Sequence, residues 1–77
     1  MLTPEQSRAA RAWLNWSQDD LAKKSEVSLS TVRDFESSKR TPIRHNLAAL
    51  RLAMERAGMR FDFDDSGNAT GLRYTTL

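Results

Sequence analysis

Cysteine is absent from the 77 residues, which excludes disulfide frameworks, thiolate metal sites and cysteine nucleophiles. Histidine occurs once, as His45, with no metal-ligand partner at a helical spacing, so it is read as a surface residue and no metal site is expected. With no carboxylate pair in a predictable pocket either, neither an enzyme nor a cofactor is expected. Long apolar runs are missing: none approaches the roughly 18 residues of a membrane span, and the N-terminus lacks a basic-then-apolar leader pattern. A cytoplasmic protein with no membrane partner is the expectation. Hydrophobic residues, at 39%, suffice for one small helical domain that is marginally stable or supported by a partner. Net charge is only +2, but its distribution is uneven. Residues 1–60 hold eleven Lys and Arg against seven Asp and Glu, a net +4, whereas residues 61–77 hold Arg73 against Asp62, Asp64 and Asp65, a net −2.

What is present is organised around Ser17 to Ser38, SQDDLAKKSEVSLSTVRDFESS. Ser17 is placed to cap a helix whose third residue, Asp20, sets a carboxylate at the positive helix end. Leu21 and Ala22 face inward, Lys23-Lys24-Ser25-Glu26 closes the helix with its polar side out, and Val27 is the one apolar residue of the turn. Ser28 then caps a second helix that carries Val32 and Phe35 inward. Two helices of about two turns with three or four residues between them form a helix-turn-helix unit.

This stretch resembles the helix-turn-helix of the Cro and phage-repressor (XRE) family. The matching residues are Ser17-Gln18, Leu21-Ala22, Val27-Ser28, Ser30-Thr31-Val32, Phe35-Glu36, Lys39-Arg40 and Thr41-Pro42, and with the flanking helices the resemblance covers residues 3–58. Two departures stand out. Glu26 replaces the usual turn glycine and Ser38 the glycine that ends the second helix; a non-glycine residue at a left-handed position costs roughly 1 kcal/mol. The resemblance implies binding to double-stranded DNA by a transcriptional regulator, with repression likelier than activation in such a small chain. It also implies an ion pair between Arg11 and Glu36 that ties the first helix to the third.

In such a unit the second helix lies in the major groove and the first crosses the phosphate backbone. Gln18 is then expected to donate to a phosphate or brace a base-reading side chain, as its family counterpart does. Ser28, Leu29, Ser30 and Thr31 form the first reading turn: Ser30 and Thr31 can bond base edges or phosphate, Leu29 can cover a thymine methyl, and Ser28 serves at least as a cap. Arg33 suits guanine or a flanking phosphate, and Asp34 can accept from cytosine N4. Lys39, Arg40 and Arg44 would neutralise phosphates beside the groove.

Before this unit, Thr3-Pro4-Glu5-Gln6 starts a first helix over 4–14, with Thr3 as cap and Gln6 completing a capping box. Trp13 and Trp16 read as packing residues. After it, Thr41-Pro42 repeats the cap-then-proline start, and a fourth helix over 43–57 places Ile43, Leu47, Leu50, Met54 and Ala57 on its core stripe. Ala49, Leu52, Ala53 and Arg56 fall on other faces, and Leu52 suggests a second contact surface. Gly58 stops the helix.

The period then changes to two. Residues 60–64 and 71–75 alternate as strands around the turn chemistry of Asp65-Ser66-Gly67-Asn68, with Phe61 and Phe63 on one face and Leu72 and Tyr74 opposite. An isolated hairpin is marginal in water, so this one either packs on its own core or pairs with a second copy; Phe61, Phe63, Leu72 and Tyr74 are the candidate dimerisation residues. The expected architecture is mainly α: a four-helix repressor-like helix-turn-helix domain over 1–58, and a C-terminal β-hairpin over 59–77 as a dimerisation element. A homodimer on DNA is the leading expectation. The competing one is a protein-binding module, an antitoxin or antiactivator, supported by the acidic tail, the two missing glycines and the acidic residues near the second helix.

Overall fold

A computed structural model describes residues 1–76. In chain order it contains α1 (Pro4–Leu14), α2 (Gln18–Ser25), α3 (Leu29–Glu36), α4 (Arg44–Arg56), β1 (Met59–Phe63) and β2 (Ala69–Tyr74). The first three helices begin where the sequence places their caps. Thr3 with Gln6, and Ser17 with Asp20, form reciprocal capping boxes, and the Ser28 hydroxyl accepts from the Thr31 N–H at 3.2 Å. Each of these helices is followed by a left-handed residue: Asn15 (φ 58°), Glu26 (φ 58°) and Ser38 (φ 62°). The two positions where the family favours glycine thus keep the glycine conformation without glycine.

α4 departs from the expectation at its start. Thr41 and Pro42 do not open it; Ile43 is the N-cap, with extended backbone (φ −60°, ψ 155°) and no side-chain capping bond. Its side chain is 68% exposed, so Ile43 is not on the core stripe. The stripe counted Ile43 as one turn before Leu47, but a capping residue outside the helical torsions does not point its Cβ along the helical face. At the other end the buried face takes in Ala53 beside Met54, and Ala57 is only half-buried.

The hairpin starts at Met59, directly after Gly58. The strands run antiparallel with Met59 opposite Tyr74 and Phe61 opposite Leu72, and a register shift after Asp62 sets Phe63 opposite Ala69. Tyr74 therefore faces Met59 rather than either phenylalanine. Gly58 has φ 108°, and a Cβ there would stand 2.8 Å from the Thr75 carbonyl oxygen and from the Tyr74 ring, so the helix-to-strand corner requires glycine. Met59 and Phe61 join Leu21, Val32, Phe35, Leu47, Leu50 and Met54 in one core, closed by Leu2. The hairpin is docked on the helices: the Gln6 amide, itself buried, donates to the carbonyls of Asp62 (3.2 Å) and Gly71 (3.1 Å), which face each other across the strands.

The tryptophans divide. Trp16 is half-buried against the core with the Lys24 ammonium 5.1 Å over its ring. Trp13 is 63% exposed and touches only the periphery, where its ring meets Tyr74 at 5.7 Å.

Candidate nucleic-acid interface

α3 presents two distinct faces. Val32, Phe35 and Glu36 are buried, whereas Ser28, Ser30 and Arg33 are exposed and Leu29, Thr31 and Asp34 are half-buried. The buried side is held by a carboxylate. Glu36 accepts from the Ser7 hydroxyl at 2.5 Å, from Arg11 Nη2 at 2.7 Å and Nε at 3.0 Å, and from Gln18 Nε2 at 3.2 Å. Arg11 also donates to the Trp16 carbonyl at 3.0 Å, and Arg8 donates to the Glu36 carbonyl. Burial alone would raise the Glu36 pKa, but hydrogen bonds from Arg11, Ser7 and Gln18 outweigh it, and the carboxyl is held below the ordinary glutamate range. One side chain from α3 thus fixes its angle to α1 and α2 together. Gln18 donates one amide hydrogen to this network, as a brace would, and its second amide hydrogen has no partner among the described residues.

On the opposite side, the first turn of α3 is preorganised by its own hydroxyls. Ser28 Oγ lies 2.8 Å from Thr31 Oγ1 and 3.3 Å from Ser30 Oγ, so the Ser28 cap bond sits inside a small hydroxyl cluster. The loop after α3 is fastened by two backbone donors, as the Lys39 and Arg40 N–H groups both reach the Asp34 carbonyl, at 2.8 and 3.2 Å. That brings Arg40 back beside α3. Ser30, Thr31, Asp34, Arg40, Thr41, Pro42, Ile43 and Asn46 line a depression of about 260 Å³ between α3 and the start of α4.

Arg33 lies on α3 and Arg40 lines the depression beside it, whereas Arg44 lines a separate hollow with Met1, Leu2, Leu47, Ala48 and Arg51. Arg33, Lys39, Arg40 and Arg44 are all exposed, and none of them forms a salt bridge among the described residues. Lys23, Arg51 and Arg73 are instead paired with Asp19, Glu55 and Asp62 at 2.9–3.0 Å. Arg8, Lys24, Arg56 and Arg60 are also outside any salt bridge among the described residues, so Arg33, Lys39 and Arg40 are the share of the unpaired charge that α3 and the loop after it carry, where it would meet a polyanion. Two features of this face were not read from sequence. Asn46 lines the depression from the first turn of α4, and α4 begins beside it, at Ile43, with no side-chain cap. Asn46 carries a sequence signal only in hindsight, since its place beside α3 depends on how α4 begins.

The fold and this face together define a helix-turn-helix protein, with α2 and α3 as its two helices. A helix-turn-helix family model matches residues 8–56, from within α1 to the end of α4. The chain belongs to this family of XRE/Cro-type helix-turn-helix proteins and is accordingly a DNA-binding protein. No curated protein matches the sequence. Among the described residues no helix is long and apolar enough to cross a membrane.

Proposed function

We propose that the chain is a sequence-specific, double-stranded-DNA-binding repressor that acts as a cytoplasmic homodimer, with residues 1–58 contacting DNA and the hairpin of residues 59–77 serving assembly. The observation that carries this reading is the contrast between the two sides of α3: a buried carboxylate network behind it, and in front an exposed hydroxyl turn with the unpaired Arg33 and Arg40 beside it. Ser30, Thr31, Leu29 and Asp34 read base edges, Arg33 takes guanine or a flanking phosphate, and Asn46 bonds either a base or a backbone oxygen. Lys39, Arg40 and Arg44 set the register by neutralising phosphates. Ser28 keeps the reading turn in shape, and Gln18 braces it through Glu36. Occupying a promoter needs nothing more than this surface, which favours repression.

Selection of bound sequences from a random duplex pool tests the reading, followed by titration of the winner across salt concentrations. The expected outcome is a two-fold symmetric site bound at least a thousandfold above random DNA. No enriched sequence would remove the regulator reading and leave the protein-binding module in its place.

A further inference from the structure

Beside the loop that closes α3 lies a hollow that the reading face does not use. It has a volume of about 460 Å³, within the range of small-molecule sites, and sits between the N-terminal segment, the loop after α3 and the hairpin turn at Gly67. Its floor is apolar, made by Pro4 and by the outer edges of the core side chains Leu2, Phe35 and Leu47. Its rim is polar, with Ser38, Arg40 and Thr41 along one side. These three residues are exposed, and their side chains form no hydrogen bond or salt bridge among the described residues. No Asp or Glu lines the hollow. We propose that it binds a small apolar carboxylic acid in its ionised form, with the carboxylate on Arg40 and the apolar body on Leu2, Phe35 and Leu47, and that the bound acid weakens DNA binding.

The chemistry of the lining selects this class of ligand. A neutral apolar molecule would cover the floor but desolvate an unpaired guanidinium, and a strongly hydrated anion such as phosphate would pair with Arg40 but leave the floor wet. An ionised acid with an apolar body satisfies both, and the guanidinium fork matches a carboxylate with two parallel hydrogen bonds. The free hydroxyls of Ser38 and Thr41 stand on the same rim as further donors. The link to DNA comes from a shared wall. Arg40 and Thr41 line both this hollow and the depression beside α3. The carboxylate on that second side is Asp34, and it forms no salt bridge with Arg40. Arg40 therefore stands between two hollows, free to turn to a phosphate on one side or to a carboxylate on the other. The effect on DNA rests on the function proposed above, in which Arg40 neutralises phosphate; the binding site itself does not.

An NMR titration of the full chain with phenylbutyrate tests the site, with the neutral phenylbutyramide as the control for charge. We expect saturable shifts of the Leu2, Ser38, Arg40, Thr41 and Gly67 amides with a dissociation constant on the order of 1 mM, and at least tenfold weaker binding of phenylbutyramide. Ser38→Asp sets a carboxylate on the rim two residues from Arg40, at a left-handed position that Asp tolerates, and Ser38→Asn is its uncharged counterpart. Ser38→Asp should weaken phenylbutyrate binding at least tenfold, and Ser38→Asn should leave it unchanged. Equal binding of acid and amide, shifts that do not saturate or that fall outside the hollow, or equal affinity in the two Ser38 variants overturns the site. On the selected duplex, saturating phenylbutyrate should weaken DNA binding at least threefold; unchanged DNA affinity overturns the effector role. A chain that selects no DNA overturns the functional reading and the effector role with it, while the titration, which needs no DNA, decides the site by itself.

Discussion

Glu36 is the residue on which the most geometry converges. Its side chain is 1% exposed and its partner Arg11 is 18% exposed, so this is a buried pair rather than a surface one. Removing one member of such a pair costs about 3–5 kcal/mol, because the partner and the Ser7 hydroxyl lose their acceptor while still shielded from water. Glu36→Ala is therefore expected to lower stability by about that much in urea titrations, and to weaken DNA binding by loosening α3. The pH dependence has a definite sign. Because the folded-state pKa is depressed below the ordinary 4.5, the Glu36 contribution is fully present above that value and is lost as pH falls through the folded pKa. Thermal melts from pH 7 down to pH 2 should show an acid-side loss of stability, and Glu36→Gln should lose part of that slope, the rest coming from Asp20, Asp62 and Asp64, whose carboxyls are also held low by the hydrogen bonds they accept. A second residue-scale effect runs the other way. Glu26 holds a left-handed torsion with an exposed side chain that makes no hydrogen bond among the described residues, so Glu26→Gly is expected to be stabilising by up to about 1 kcal/mol, read as a few degrees in Tm. An unchanged or lower Tm would show that the turn strain is already relieved by its surroundings.

At the scale of elements, α3 and the start of α4 share one depression, which the proposed function makes a single reading unit. α3 has only eight residues, and its exposed first turn alone offers two hydroxyls and Leu29. The depression it shares with Asn46 and Arg40 widens that surface without lengthening the helix. Ser30→Ala and Leu29→Ala are expected to change which bases are enriched in a selection, each by about 1–3 kcal/mol of discrimination at one position. Asn46→Ala is expected to weaken binding too; if it shifts base preference, Asn46 reads a base, and if it weakens all sequences equally, it holds the backbone. The hairpin is an element of another kind. Its Phe61 and Met59 fill the helical core, so Phe61→Ala should cost about 3–5 kcal/mol and unfold the helices together with the strands. A melt in which helical signal survives the loss of the strands would show the two parts to be independent.

For the whole molecule, size sets the logic. With a longest extent of 29 Å, one copy has a length on the order of one 34 Å helical turn of DNA. The total charge of +2 is too small to hold a polyanion by itself, so under the proposed function affinity depends on the placement of Arg33, Lys39, Arg40 and Arg44. Lys39→Ala is expected to weaken binding to every sequence and to flatten the slope of log affinity against log salt by roughly 0.9 per copy. An unchanged slope would place Lys39 away from phosphate.

What the amino-acid sequence determined by itself is local: which residues start and stop each of the first three helices, where the turn lies, and where the period changes from helix to strand. Those signals reside in short-range chemistry, in hydroxyls and carboxylates three residues from the N–H groups they satisfy, as at Thr3, Ser17 and Ser28. The family match rests on the same residues. Tertiary structure decided the rest, because it depends on directions that no spacing encodes. Ile43 reads as core by periodicity and is exposed because the chain there is not yet helical, while Met59 and Leu2 lie outside every periodic segment and are buried because the hairpin and the N-terminus fold onto the bundle. Trp13 reads as packing and stands largely in solvent beside Tyr74, a neighbour 61 residues away in sequence. Asn46 came to line the depression beside α3, and the hairpin came to dock on α1 through Gln6, only when the angle between packed elements was set; that angle is a property of the whole core and belongs to no single stretch of it.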